Sequence, residues 1–225
     1  MAPHPPLWSD RYTAGLALAA RVRSSLSPGD PDTVVALPRG GVPVAVAVAE
    51  GLQLPLVTWS VRKVADPRWP ELAIGAVASG GVAVWRQGQA GVEPEAMAIR
   101  QGWLQAQERE LGRRQQLFGD PSPAALRGRH LVVVDDGIAT GMTVKAALLS
   151  LAQVQPRRLT LAVPVVDRRV AQELAGLMDQ LVALAVVDDL QAVGLWYETF
   201  PQLSDVEVLE LLRPWTGATS ASPPR

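Results

Sequence analysis

The chain has 225 residues, of which 48% are hydrophobic and 19% are charged, and its formal net charge is −1. A chain of this length can bury roughly 70% of its unfolded surface around one core, so we expect one globular domain. The near-zero net charge disfavours nucleic acid as a partner. With no cysteine and two histidines, the sequence excludes disulfides and a His/Cys metal cluster, so any metal must be held by oxygen ligands.

The two ends of the chain differ in composition from its middle. They are rich in Pro, Ser and Thr and lack apolar periodicity. We therefore predict a frayed N-terminus over residues 1–6, a single domain over residues 7–215 and a disordered tail over residues 216–225. No signal-peptide pattern opens the sequence, and no apolar run reaches about 18 residues, so we expect a cytoplasmic protein with no membrane contact.

The predicted elements alternate between helix and strand. Ser9 or Asp10 can cap a first helix that runs to about Leu26, and TVVALP, PVAVAVAEGL and PLVTWSV follow as strand, helix and strand. ELAIGAVASGGVAVW predicts a hairpin around residues 79–81, and Pro94 opens one long polar helix. HLVVVDD, TVKAALLSLAQ, RLTLAVPV, RRVAQELAGL and DQLVALAVV then alternate strand and helix. This order indicates an α/β domain with a central, mostly parallel sheet flanked by helices.

The stretch LVVVDDGIATGMT places two aspartates at the carboxyl end of a buried strand, before a Gly- and Thr-rich turn. Ligands of open α/β sheets collect outside this end of the strands. Residues 139–143 offer backbone N–H groups at a helix N-terminus, where hydrogen bonds and the helix dipole favour a phosphate. Asp135 and Asp136 would repel that phosphate, so their natural partners are hydroxyl groups of the same ligand. The pattern predicts a sugar-phosphate site.

This stretch resembles the signature of type I phosphoribosyltransferases, which bind 5-phosphoribosyl-1-pyrophosphate (PRPP). The resemblance implies their α/β fold, with a small hood outside the sheet and a flexible hairpin loop. It implies that Asp135 and Asp136 engage the ribose hydroxyls. The 5-phosphate would be bound by Ala139, Thr140, Gly141, Met142 and Thr143. Mg²⁺ is the implied cofactor, carried by the phosphates of PRPP and reaching the two aspartates indirectly, through PRPP and water.

Two other segments resemble loops of the same family. LPRGGVPVA is similar to the pyrophosphate loop, in which glycine backbone curls around the leaving group and an arginine neutralises it. SVRKVADPRWPELAIGAVASGG, residues 60–81, falls where the family has a loop that closes over the reaction. The residues implied to bind pyrophosphate are Arg39, Gly40, Gly41, Arg62 and Lys63. The run from about residue 8 to 213 also resembles a group of bacterial phosphoribosyltransferase-like proteins.

The resemblance implies transfer of a phosphoribosyl group to or from a nitrogenous, nucleobase-like acceptor, with pyrophosphate as co-product. The implied catalytic residues are Asp135, Asp136, Arg39 and Lys63, and Glu71 is a further candidate for proton transfer. The hood is expected over about residues 188–213, where Trp196, Tyr197 and Phe200 could stack on a planar acceptor. A homodimer is also implied.

Several alternatives stay open at this point. A PRPP-sensing regulator would use the same loop without turnover and could contact nucleic acid through short basic patches. An unrelated sugar-phosphate or nucleotide hydrolase would use Asp135 as a nucleophile, although DDGIAT lacks the DxD spacing of the common aspartyl-phosphate fold. The hood aromatics could equally form hood or dimer core. QERELGRRQQ is predicted to be a solvated or dimer-facing helical surface.

Overall fold

The computed structural model describes residues 5–27, 30–69, 73–86 and 93–216. In the first half the elements are α1 (Arg11–Ser25), β1 (Thr33–Ala36), α2 (Gly41–Leu52), β2 (Leu56–Thr58), β3 (Val61–Ala65), β4 (Ala73–Ala78) and β5 (Val82–Trp85). In the second half they are α3 (Pro94–Arg100), α4 (Trp103–Phe118), α5 (Pro123–Leu126), β6 (His130–Val134), α6 (Met142–Gln153), β7 (Arg158–Asp167), α7 (Arg168–Leu174), β8 (Gln180–Val187) and α8 (Asp205–Leu212). The predicted alternation of strand and helix is confirmed.

The described ranges include only a small part of each predicted terminal segment, namely residues 5–6 and residue 216. Residues 1–4 and 217–225 of the two ends lie outside the described residues. Among the described helices, none combines the length and the apolar character needed to cross a bilayer.

The main sheet has five parallel strands in the order β2, β1, β6, β7, β8. From β1 the chain moves outward through α2 to β2, whereas from β6 it moves the opposite way through α6 to β7. The direction of winding therefore reverses between β1 and β6. A reversal of this kind opens a crevice at the carboxyl ends of the two strands, where ligands bind in open α/β sheets.

The central strands are buried on both faces, as their apolar sequences predict. Every residue of β1 and β6 is buried. Successive side chains point to opposite faces, so Val35 and Val133 pack in the core on the α6 side. Val34 and Val132 pack in the core formed with α1, α2 and α8. The prediction of a sheet covered on both sides is confirmed.

A second, smaller sheet carries the predicted hairpin. β3, β4 and β5 form an antiparallel sheet, in which Arg62 pairs with Val77 and Lys63 with Ala76. Residues 61–65, predicted within a loop, are thus a strand that holds the two basic side chains on a regular backbone. The long polar helix after Pro94 also differs from the prediction, because left-handed backbone at Gly102 divides it into α3 and α4.

A partly buried carboxylate fixes the point at which the chain leaves the main sheet. Asp120 accepts hydrogen bonds from the Thr58 hydroxyl at 2.7 Å and from the Ser60 amide at 2.6 Å. Next to this junction, the Trp59 indole is buried and donates to the Ser150 hydroxyl of α6 at 3.1 Å. These contacts bind the start of β3 to the main domain, so the basic residues of β3 have a defined position relative to the sheet.

Helix α1 packs closely on α2, and this packing sets the position of Arg11, the first residue of α1. The Asp10 carboxylate caps α1 by accepting from the Thr13 amide at 2.7 Å. A Cβ atom on Gly15 would lie 2.6 Å from the Val44 carbonyl oxygen and 2.7 Å from Ala47 Cβ. Both distances are too short for ordinary contact. The helices therefore approach this closely because Gly15 has no side chain.

This packing predicts opposite outcomes for two helical glycines. Gly15→Ala should lower the free energy of unfolding by about 1–3 kcal/mol, because the methyl group overpacks the contact between the helices. Gly112→Ala in α4 meets nothing within 4 Å and should raise that free energy by about 0.5–1 kcal/mol through its better helix propensity. Urea denaturation of both variants measures the difference. Equal effects would contradict the packing.

Candidate functional site

The loops after β1 and β6 meet at the crevice between these strands. The Leu37 amide donates to the Val134 carbonyl at 3.0 Å, which extends the strand pairing beyond the sheet. A Cβ atom on Gly40 would lie 2.8 Å from Asp136 Cγ, and one on Gly41 would lie 2.7 Å from the Val134 carbonyl oxygen. The predicted pyrophosphate loop and the predicted acidic pair are therefore in direct contact, and both glycines are required by that contact.

These loops form one wall of a cleft with a volume of about 320 Å³. Its cationic lining residues are Arg11, Arg39, Arg62, Lys63 and Arg114, and its acidic ones are Asp135 and Asp136. Gly40 and Thr143 also line it, as do Gln202 and Leu203 from the predicted hood segment. The structure thus brings together most residues that the sequence predicts to bind ribose and pyrophosphate. The excess of cations over carboxylates makes the cleft suited to an anionic ligand.

The Asp136 carboxylate is held by an arginine that the sequence did not single out. Arg11 Nε lies 2.8 Å from Asp136 Oδ2, and the two side chains are 9% and 15% exposed. Arg11 Nη1 donates to the Pro201 carbonyl at 2.9 Å, and its Cζ lies 3.5 Å from the centre of the Phe200 ring. The Tyr197 hydroxyl donates to the Asp136 carbonyl at 2.5 Å. Asp136 is therefore held by residues from both ends of the chain, with Arg11 at its carboxylate and Tyr197 at its carbonyl.

The electrostatics of the acidic pair favour ligands that donate hydrogen bonds. Burial raises the pKa of Asp135, and the negative charge of Asp136 raises it further. Burial also raises the pKa of Asp136, whereas the Arg11 guanidinium opposes this shift. Asp135 Oδ1 accepts from the Asp136 amide at 2.9 Å. The other oxygen of Asp135 and Oδ1 of Asp136 accept no hydrogen bond from the described residues, so both can receive hydroxyl groups.

The predicted phosphate loop leads into the N-terminus of α6. Gly141 has left-handed backbone with φ of 72°, and no side chain caps the helix. The first helical bond runs from the Lys145 amide to the Gly141 carbonyl at 2.8 Å, so the preceding amides of the first turn have no helical acceptor. Thr143 lines the cleft and Thr140 is exposed. Ala139 and Met142 pack against the hood aromatics and the sheet core, respectively, and offer only backbone.

The prediction about the surface of α4 is wrong for Arg114, although Glu108, Arg109 and Arg113 of the same segment are exposed as predicted. The segment QERELGRRQQ is predicted to be solvated or dimer-facing, but Arg114 is 7% exposed and lines the cleft. Arg114 Nε lies 2.9 Å from Glu110 Oε1, and hydrogen bonds from Arg113 and Arg114 lower the pKa of Glu110 to about 2. Burial and neighbouring arginines lower the pKa of Arg62 across the cleft. Sequence periodicity could not reveal this role, because it depends on the docking of α4 against β3.

The predicted stacking face is not open in the structure. Trp196 and Tyr197 are 9% and 4% exposed and pack with Trp8, and neither lines the cleft. The Phe200 ring lies between Tyr197, whose ring centre is 5.0 Å away, and the Arg11 guanidinium. These aromatics form the core of the hood, which confirms that alternative and corrects the prediction that they stack on an acceptor.

The candidate base Glu71 lies outside the described residues.

The ion pair between Arg11 and Asp136 predicts a large and specific loss of stability. Arg11→Met should lower the free energy of unfolding by about 3 kcal/mol, because it leaves a buried carboxylate without its cation. Adding Asp136→Asn should recover part of that loss, since the unpaired charge is then absent. A double-mutant cycle by urea denaturation measures the coupling. Arg21→Met, at an exposed position of α1, is the matched control; an equal loss there would contradict the assignment.

Comparison with known proteins agrees with this geometry. Two Mycobacterium tuberculosis proteins, from strains CDC 1551 and H37Rv, carry names that assign them provisionally to the phosphoribosyl transferases. Each is 42% identical over 214 residues, which cover 92% of this chain and 46% of the relative. The chain therefore spans about half the length of the curated relatives it matches.

A solved structure shows the same architecture. The crystal structure of TT1426 from Thermus thermophilus is 36% identical, with a TM-score of 0.72 over 92% of this chain and 98% of that one. The family model for the phosphoribosyl transferase domain matches residues 10–176, which include both crevice loops and the smaller sheet. On this match the chain belongs to the phosphoribosyl transferase domain family.

Proposed function

We propose that this protein is a phosphoribosyltransferase that uses Mg²⁺-PRPP and transfers the 5-phosphoribosyl group to or from a nitrogenous acceptor. One observation carries the proposal. The acidic pair after β6 and the Arg39 loop after β1 meet where the sheet reverses its winding, inside a cleft with excess positive charge. Because this chain covers about half of its curated relatives, the activity of the whole protein is part of the proposal.

Three sets of groups in the cleft suit three different parts of PRPP. Asp135 and Asp136 have oxygens free to accept the ribose hydroxyls. The uncapped first turn of α6, together with the Thr143 hydroxyl, suits the 5-phosphate. The pyrophosphate group then faces Arg39 and the basic strand β3. Each part of the ligand meets groups of complementary charge or hydrogen-bonding type.

In the proposed reaction the bond between C1 of the ribose and the pyrophosphate oxygen breaks, and a bond from C1 to an acceptor nitrogen forms. The electron pair of the broken bond leaves with pyrophosphate, and an acceptor that carries a proton on that nitrogen must lose it. Arg39 and Lys63 stabilise the charge that develops on the leaving group. The acidic pair and α6 hold the ribose in position for displacement at C1.

The described residues fit a magnesium ion that is carried by the ligand. No group of three or more His, Cys, Asp or Glu side chains in the described ranges could form a protein cage for a metal. Asp136 Oδ2 is taken by Arg11, which leaves one oxygen of each aspartate to reach the ion through water or the ligand. Mg²⁺ keeps several of its water ligands and binds substrate phosphates with only one or two carboxylates, so the free oxygens of Asp135 and Asp136 are compatible with this ion. Bound in this way, the ion would neutralise charge on the pyrophosphate.

A PRPP-sensing module is the second candidate, and one observation favours it. The acidic groups that line the cleft are Asp135 and Asp136, so the described residues place no separate carboxylate or histidine there as a base for the acceptor. Release of pyrophosphate in the presence of nucleobases would establish transfer. Tight PRPP binding without release would favour the sensor. Homodimerisation and a cytoplasmic location stay predictions.

The proposal predicts magnesium-dependent binding of PRPP that depends on the acidic pair. Asp136→Asn should weaken the affinity at least about tenfold, because a hydrogen bond to a charged acceptor is lost. Thr140→Ala should weaken it by about threefold if its hydroxyl donates to the 5-phosphate. Calorimetric titrations with and without Mg²⁺ measure both effects.

Asp188→Asn is the matched control for these titrations, because its carboxylate pairs with Arg168 on the surface, outside the cleft. Thermal unfolding of each variant confirms that the fold is retained. Unchanged PRPP affinity in both Asp136→Asn and Thr140→Ala would remove the basis for the site.

A further inference from the structure

An acidic side chain of the hood lies between two arginines at the rim of the cleft. Asp205 is the first residue of α8. Its Oδ2 lies 2.6 Å from Arg113 Nη2 of α4, and its Oδ1 lies 3.5 Å from Arg39 Nη1 of the loop after β1. Three elements that are distant in the chain therefore converge on one carboxylate.

The surroundings of this carboxylate are strongly cationic. Burial lowers the pKa of Arg62, and the positive charges of Arg114, Arg39 and Arg113 lower it further. The hydrogen bond from Arg113 lowers the pKa of Asp205, so its carboxylate is ionised at neutral pH. Asp205 thus supplies a negative charge to a group of arginines that would otherwise repel one another.

We propose that Arg39 and Arg113 form an anion subsite, which Asp205 occupies in the ligand-free protein and which a phosphate group of a polyphosphate ligand occupies instead when it binds. The inference rests on the proposed PRPP site and extends it, because it adds Arg113 as a binding residue and Asp205 as an internal competitor. The ligand class is a molecule with at least two linked phosphates, of which one reaches the rim of the cleft.

A phosphate group can displace the carboxylate because its contact to Arg39 is long and its 2.6 Å contact to Arg113 joins side chains that are 26% and 49% exposed. The 3.5 Å contact to Arg39 involves one nitrogen of the guanidinium and one oxygen of the carboxylate. The side chains of Arg39 and Asp205 are each 26% exposed. Partly exposed pairs of this kind contribute little. A phosphate carries more charge and more acceptor oxygens, and arginine forms forked hydrogen bonds to it.

The subsite keeps its shape when Asp205 leaves it. Arg113 remains held by Glu110, which it contacts at 2.7 Å and 2.9 Å. The N-terminus of α8 remains capped, since the Ser204 amide donates to Glu207 at 2.7 Å and the Ser204 hydroxyl accepts from the Glu207 amide at 3.2 Å. Neither the helix nor the arginine therefore needs Asp205, which leaves the carboxylate available for exchange.

Titration calorimetry with inorganic pyrophosphate, followed by PRPP, tests the exchange. Asp205→Asn should bind pyrophosphate roughly two- to fivefold more tightly, because the competing anion is gone. Glu207→Gln is the matched control. It removes the same charge from the same helical turn, retains a residue suited to the capping box, and has no contact with Arg39 among the described residues. Its affinity should stay at the wild-type value.

The second pair of variants tests the arginine. Arg113→Gln should weaken pyrophosphate binding about tenfold, because a charged hydrogen bond to phosphate is lost. Arg109→Gln removes the same charge from an exposed position of α4 and should have no such effect. Thermal unfolding separates loss of binding from loss of the fold.

The outcomes separate the subsite from the proposed function. Wild-type protein that binds PRPP, with Asp205→Asn and Arg113→Gln indistinguishable from it, would overturn the subsite alone. Equal gains for Asp205→Asn and Glu207→Gln would also overturn it, since they would report general electrostatics. If neither the wild type nor Asp205→Asn binds pyrophosphate or PRPP, both the subsite and the proposed function are wrong. Two results together would support the subsite. Pyrophosphate should bind more tightly to Asp205→Asn but not to Glu207→Gln, and more weakly to Arg113→Gln but not to Arg109→Gln.

Discussion

The ion pair between Arg11 and Asp136 joins the parts of the molecule on which the cleft depends. The two residues are 125 positions apart, and their side chains meet at 2.8 Å with little exposure to solvent. Arg11 also contacts the hood through the Pro201 carbonyl and the Phe200 ring. Because a buried carboxylate beside Asp135 is costly without a cation, the position of α1 and the charge state of the acidic pair are linked. The close approach of α1 and α2 at Gly15 keeps the arginine in place.

The cleft is formed by the loops after β1 and β6, which are distant in the chain and meet because their strands are neighbours in the sheet. β1 and β6 pair with each other, although about a hundred residues separate them, and the chain winds away from them in opposite directions. Their carboxyl ends therefore carry two loops that face one crevice. The contact between Gly40 and Asp136 shows how closely these loops are packed. Side chains at either glycine of the Arg39 loop would separate the predicted pyrophosphate loop from the predicted ribose-binding residues.

Charge is distributed unevenly in a chain whose net charge is only −1. Arg39, Arg62, Lys63 and Arg114 line the same cleft as the acidic pair, while Glu110 and Asp205 offset part of their positive charge. Net charge predicts that the chain has no broad polyanion-binding surface, but it could not show this local excess. An excess of positive charge confined to a cleft favours a small anionic ligand.

Local features could be predicted from the sequence alone: the alternation of strand and helix, burial of the central strands on both faces, and placement of Asp135, Asp136 and the Gly/Thr turn at a strand end. These follow from apolar periodicity and turn chemistry, which act over a few residues. The folded chain was needed to show that Arg11 pairs with Asp136, that Arg114 faces the cleft, and that Trp196 and Tyr197 are core. Each of these outcomes depends on which elements dock together, because burial and electrostatic pairing are properties of contacts between distant segments. The periodicity of α4 could identify its polar surface, but the partner of that surface was settled by the docking of α4 against β3.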